Sequence, residues 1–252
     1  MDTVQFSNHT GYGSWRGQVF GAGHLADLID GIEARGILRR CDAILSGYLG
    51  EADIGRVILD AVGRVRKANP RAIYCCDPVM GDTGKGLFVH PDIPAFFAQQ
   101  AVPAADLITP NQYELELLAG APVTGLAAAV AAARRLQSRG PSMVAVTSLQ
   151  PPAVGPGRLG SLLATPEGTW LVDTPLLPFD RPPAGAGDVF AALLLGRLLA
   201  GENPVVALER TVNSVYRLLA DSLAEQSAEL RLVATQENLV NPPTLHSAVR
   251  VG

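Results

Sequence analysis

The residues Gly185-Ala186-Gly187-Asp188 stand directly before a strongly apolar stretch that reads as a helix over residues 188–199. Glycines ahead of a helix let backbone N–H groups turn toward an anion, and the helix N-terminus adds positive partial charge. Asp188 cannot itself bind phosphate, because its charge repels phosphate. As a base it would take a proton from a substrate hydroxyl, which then attacks a phosphoryl group held by the glycine amides. Its plainer role is a helix cap. Three further clusters follow short apolar runs: Asp77 with Asp82 after residues 72–76, Thr109 with Glu114 after 107–108, and Thr147 with Ser148 after 143–146. Asp77, Asp82 and Glu114 supply hard oxygen ligands, direct or through water, for Mg²⁺ carrying nucleotide phosphates. Glu114 alone would serve as a first-turn acid complementing a helix dipole, and each cluster taken singly reads equally as turn chemistry.

These groups must be brought together by the elements between them. β-branched runs alternate with helical periodicity along the first 148 residues. Residues 3–6, 41–45, 72–76, 107–108 and 143–146 read as strands. Helices are expected over 24–35, with Leu25, Leu28, Ile29 and Ile32 on one face, and over 54–65, 112–119 and 124–138, the last with Thr124 as N-cap. This rhythm argues for a mostly parallel sheet covered by helices on both faces. In such sheets, ligands bind where the loops at the carboxyl ends of the strands converge, which is where the polar clusters fall. Beyond Ser148 the sequence turns rich in Pro and Gly. Residues 158–164 and 169–172 read as a small antiparallel pair, and 188–199 and 204–223 as helices. No internal repeat or compositional break divides the chain, so residues 1–252 are expected to form one domain.

Composition narrows the class. Of 252 residues, 48% are hydrophobic and 17% charged, which is globular rather than disordered. A net charge of −4 lacks the basic face of a general nucleic-acid binder. No run of 18 apolar residues and no signal-like N-terminus is present, so neither a membrane nor secretion is expected. Cys41, Cys75 and Cys76, odd in number and set in apolar runs, fit a reducing, cytoplasmic setting. The loop MGDTGKG lacks the Walker A frame, and neither GxGxxG nor GxSxG occurs after a strand. Dehydrogenase and α/β-hydrolase readings lose ground accordingly.

TVQFSNHTGYGSWRGQV (residues 3–19), SGYLG (46–50), DPVMGD (77–82), TPNQYELELL (109–118) and GAGD (185–188) together resemble the pyridoxal kinases of the ribokinase-like superfamily. The bacterial pyridoxal-salvage branch is the nearest likeness. DPV and GxGD are superfamily-wide, whereas VQFSNHTGY and SGYLG are specific to the pyridoxal branch. The resemblance implies a three-layer ribokinase-like α/β fold and transfer of the ATP γ-phosphate to the 5′-hydroxyl of pyridoxal. It implies Asp188 as base and substrate contact, and Gly185, Ala186 and Gly187 as anion hole. Thr10, Gly11 and Tyr48 fall on the substrate side. Asp77, Thr109, Glu114 and Thr147 fall in the nucleotide and metal shell, with Asp82 and Ser148 beside them. Mg²⁺, a monovalent cation (K⁺) and a homodimer are implied as well.

Tyr48 offers a flat face and a hydroxyl that suit an aromatic ring ligand; its plainer role is a half-buried strand-end tyrosine. His9 reads as structural, Trp15 as a pocket-mouth or flap-packing residue, and Lys85 as a solvated loop lysine. Some relatives carry lysine in place of Thr147, and other members of the superfamily carry threonine in place of Ala186. The family begins with a strand and helix ahead of residue 3, a unit missing here, so Met1 is expected to be a misassigned start or the chain a true truncation. The alternatives are a hydroxymethylpyrimidine kinase of the same superfamily, and a catalytically dead protein that binds the vitamer without consuming ATP.

Overall fold

The computed structural model describes residues 1–9 and 12–252. Two short strands, β1 (Val4–Phe6) and β2 (Gly17–Val19), pair antiparallel as a hairpin ahead of α1 (Ala22–Ala34). There follow β3 (Ala43–Ser46), α2 (Ala52–Ala68), β4 (Ile73–Cys76) and a second small hairpin of β5 (Gly81–Asp82) and β6 (Gly86–Leu87). A helical stretch of α3 (Ile93–Phe96), a π-turn and α4 (Val102–Ala104) leads to β7 (Leu107–Ile108). Next come α5 (Gln112–Ala119), α6 (Leu126–Gln137), β8 (Met143–Leu149), β9 (Arg158–Thr165) and β10 (Gly168–Pro175). The chain ends with α7 (Ala186–Leu199), α8 (Pro204–Ala224), α9 (Gln236–Val240) and β11 (Val249–Arg250).

Seven strands form the central sheet in the order β11-β10-β9-β8-β7-β4-β3. Pairing is parallel from β3 to β8 and antiparallel from β8 to β11. The expected parallel sheet runs from β3 to β8, and the expected small antiparallel pair joins it as a wing over residues 158–165 and 168–175, so that the sheet as a whole is mixed. Hairpin connections suffice there, while each parallel step needs a helical crossover.

The apolar runs alternate between two cores, as a sheet buried on both faces requires. Tyr74, Cys76, Ile108, Val144 and Val146 face one side, against α2, α3, α5 and α6. Cys75, Leu107, Ala145 and Leu163 face the other, against Phe190, Leu194 and Leu208 of α7 and α8. Two local expectations fail. Helix α6 begins after Gly125 with no side-chain cap, so Thr124 does not cap it. Leu28 lies off the buried stripe of Leu25 and Ile29 and is exposed.

At the other end of the sheet, β3 forms the edge. A groove of about 440 Å³ runs beside it, lined by Val4, Leu25, Ile29, Ile44 and Ile58 and ending at Gly47 and Tyr48.

Candidate active site

Backbone bonds carry the ladder past the carboxyl ends of β3, β4 and β7 and tie β7 to β8; Thr147 and Ser148, expected just after a strand ending at 146, lie inside β8, which runs on to Leu149. Asp77 N–H donates to Ser46 O at 2.9 Å, Thr109 N–H to Cys76 O at 3.1 Å, and Thr147 N–H to Pro110 O at 2.8 Å. Register thus fixes three of the predicted residues side by side. Asp77 and Thr109 are buried, and Thr147 is half-buried. Ser148 sits on a register shift in β8 with φ of 56°, an uncommon left-handed conformation for a residue with a side chain.

The next layer explains the spacing of the TPNQYE stretch. Asn111 and Glu114 form a capping box at the start of α5: Glu114 N–H donates to Asn111 Oδ1, and Asn111 N–H donates to Glu114 Oε2, both at 2.9 Å. The same two side chains reach the DPVMGD loop. Glu114 Oε1 accepts from Met80 N–H at 2.8 Å and from Gly81 N–H at 3.5 Å, and Asn111 Nδ2 donates to Gly81 O at 2.8 Å. Tyr113 closes over this loop so tightly that a Cβ on Gly81 would lie 2.4 Å from its Cε1. Glu114 is therefore both the first-turn acid and the clamp of the β5–β6 hairpin that carries Asp82. Asp82 itself pairs with Lys85 at 3.0 Å on the surface, so Lys85 is an ion-pair partner rather than merely solvated.

Electrostatics mark the site as a place for a cation. Burial, and then the charges of Glu114 and Asp188, hold the Asp77 carboxyl well above its ordinary range, with Thr109 acting in the opposite direction. Burial pushes Glu114 up to about 7, against the pull of its three backbone donors. Buried carboxylates gathered beside one another suit a cation that arrives with phosphates. Among the described residues, however, no three Asp, Glu, His or Cys side chains converge into a metal cage. Direct ligation by Asp77, Asp82 and Glu114 together is not what the geometry offers; an ion held by phosphate oxygens and water fits.

Opposite this cluster, α7 starts two residues earlier than expected. Gly185 is its N-cap at φ 94°, with no side-chain cap bond, so Asp188 does not cap the helix. The left-handed turn is one that glycine adopts without strain. It leaves the N–H groups of Ala186, Gly187 and Asp188 in the first turn without intrahelical partners. Asp188 is solvent-open, yet enough protein surrounds it to raise its carboxyl above the ordinary range, with the charge of His9 working the other way. It lies against the SGYLG turn: a Cβ on Gly47 would stand 3.8 Å from Asp188 Oδ1. Tyr48, next in that turn, is half-buried, and its carbonyl accepts from Thr3 Oγ1 at 2.9 Å.

Thr10 and Gly11 lie outside the described residues. His9, read from sequence as structural, acts electrostatically on Asp188. Trp15 packs its ring 4.0 Å from Phe6, within the first hairpin. Arg181 and Glu229 carried no sequence signal, and Tyr12, though it ends the VQFSNHTGY segment, was given no role; the three meet only through contacts between distant segments.

The model of the phosphomethylpyrimidine kinase family matches residues 35–230. A pyridoxal kinase PdxY of Rubrobacter xylanophilus is 54% identical over the whole chain, which covers 86% of that relative. Its counterpart in Deinococcus radiodurans is 51% identical, with the same shares covered. Among solved structures, the pyridoxal kinase of Leishmania donovani in complex with ADP and pyridoxamine superposes with a TM-score of 0.89 at 25% identity, covering 100% of this chain and 88% of that one. That of Trypanosoma brucei gives 0.86 at 28% identity, covering 100% and 87%.

Proposed function

The chain belongs to the phosphomethylpyrimidine kinase family, and from that premise we propose that it is a pyridoxal kinase, making pyridoxal 5′-phosphate from pyridoxal and ATP. The observation that carries the choice within the family is identity of 54% and 51% to pyridoxal kinases across the full chain. Hydroxymethylpyrimidine, the alternative small aromatic alcohol, is the weaker reading.

In the reaction we assign to this site, the Asp188 carboxylate takes the proton of the 5′-hydroxyl as its oxygen attacks the γ-phosphorus. The O–H bond breaks, a new P–O bond forms, and the bond between the γ-phosphorus and the bridging oxygen breaks to release ADP. Backbone N–H groups of Ala186, Gly187 and Asp188 face the charge that develops on the transferring group. Gly185 makes that turn possible. Tyr48, Thr10 and Gly11 are assigned to the vitamer, whose ring would stack on the tyrosine. Asp77, Thr109, Glu114, Thr147 and Ser148 are assigned to ATP, with hydroxyls in contact with phosphate. Mg²⁺, held near Asp77 and Asp82 through water and phosphate oxygens, would neutralise phosphate charge, and a monovalent cation such as K⁺ would assist.

A homodimer and a cytoplasmic location complete the reading; among the described residues no helix is long and apolar enough to cross a membrane.

The test of function is a side-by-side assay of the purified chain with MgATP and either pyridoxal or hydroxymethylpyrimidine. A kcat/KM at least ten times higher for pyridoxal supports the reading (about 1.4 kcal/mol of discrimination). The reverse order assigns the pyrimidine instead, and vitamer binding without ADP release makes the chain a binding protein.

A further inference from the structure

The first hairpin bridges the site from one side to the other. At its root, Phe20 N–H donates to Thr3 O at 3.0 Å, and Thr3 Oγ1 holds the Tyr48 carbonyl. Val19 packs onto the SGYLG turn so closely that a Cβ on Gly50 would lie 2.3 Å from Val19 Cγ1. At its far end stands Tyr12, an exposed aromatic residue that the chemistry above does not use. Its hydroxyl donates to the Glu229 carboxylate, in the segment that follows α8. The Arg181 guanidinium lies over its ring, 5.8 Å from the centroid, and the His9 ring meets it edge-on at 6.3 Å. Arg181 is four residues ahead of Gly185, on the loop that feeds the glycine turn, and His9 acts on Asp188. The hairpin is thus fixed to the turn beside Asp188 at its root and to the far rim of the site at Tyr12.

We propose that Tyr12 is a positioning residue for the vitamer: its bond to Glu229 and its packing under Arg181 latch the first hairpin over Asp188. The proposal rests on the kinase reading of the same site and adds to it the residues that hold the substrate-side cover in place. A hydrogen bond to a carboxylate is stronger than a neutral one, though solvent at this exposed position weakens it. The guanidinium over the ring is a second, independent hold. Both lie on the vitamer side, away from the Asn111–Glu114 clamp, so the latch selects between the two substrates in its effect.

The experiment is steady-state kinetics of Tyr12→Phe, Glu229→Gln and the double variant, each compared with the parent chain. Tyr12→Phe keeps the ring under Arg181 and removes only the hydroxyl. The expected result is a rise of about three- to tenfold in KM for pyridoxal, with kcat and KM for ATP within about twofold. The double variant should lose no more than Tyr12→Phe alone, because one bond is being removed twice. An unchanged KM for pyridoxal, an equal rise in KM for ATP, or additive losses would overturn the proposal. Amide hydrogen exchange of Val4–Phe6 and Gly17–Val19 provides a readout independent of catalysis. Tyr12→Phe should speed that exchange severalfold while leaving β4 and β8 unchanged. Equal exchange in both proteins removes the latch even if the chain turns over nothing, whereas faster exchange in an inactive chain keeps the latch and rejects the kinase reading.

Discussion

The two sides of the site are built by different means. On the side we assign to the nucleotide, Asp77, Thr109 and Glu114 are almost wholly buried, and backbone ladder bonds and the Asn111–Glu114 box hold them in place. On the side we assign to the vitamer, a three-residue-stranded hairpin rests on the SGYLG turn at the edge of the sheet, and exposed groups such as Tyr12 tie it down. A rigid wall can preorganise phosphate chemistry, because its dipoles need not move as charge develops. A lightly held cover can admit and release a flat ring. Substitutions in the wall should therefore disturb folding and catalysis together, while those in the cover should alter vitamer affinity alone.

The comparison breaks most readily at Asp188, which stands between the two sides. Asp188→Asn should lower kcat by about 10²-fold or more with KM for pyridoxal changed less, measured by steady-state kinetics. In the wall, Glu114→Ala leaves the N–H groups of Met80, Gly81 and Asn111 without their acceptor, and thermal unfolding should report a loss of about 1–3 kcal/mol. Gly81→Ala, which forces Tyr113 off the loop, should cost a similar ~1–3 kcal/mol and raise KM for ATP. In the cover, Gly50→Ala should change stability by less than about 1 kcal/mol, because the displaced hairpin is at the surface, yet raise KM for pyridoxal a few-fold.

Acid–base linkage sharpens the same contrast. Glu114 titrates near 7 in the folded chain and at its ordinary, lower value when unfolded. Between these two values the folded state binds the extra proton, so this group's contribution to stability is full below the ordinary value and is lost as pH rises through about 7. The Tm of the parent chain should fall over that window relative to Glu114→Gln, in which the titrating group is absent. Parallel curves for the two proteins would contradict the burial argument.

How much of this was readable in the sequence follows the same division. The parallel half of the sheet, α5 with its bounds at 112 and 119, and the polar residues after β4 and β7 were legible, because each rests on local periodicity and on strand-end chemistry, whereas Thr147 and Ser148 fall inside β8. The antiparallel wing was read as a small pair because nothing local says that 158–165 joins β8. The short β5–β6 hairpin and the π-turn after Phe96 lack any periodic signature of their own. Within the site, Glu114 was found as an acid but its clamp on Met80 and Gly81 was not, since those partners are more than thirty residues away. Asp188 was weighed as a cap, a role Gly185 fills instead. Tyr12, Arg181 and Glu229 come from three separate segments, and no spacing rule links them.

The central claim is that Asp188 serves as the base in phosphoryl transfer to pyridoxal. Its most direct test is formation of pyridoxal 5′-phosphate by the 252-residue chain with pyridoxal and MgATP, run beside Asp188→Asn. Product from the parent chain and about a hundredth or less from the variant is the predicted result. Equal turnover by both proteins would show that another group takes the proton and would contradict the account.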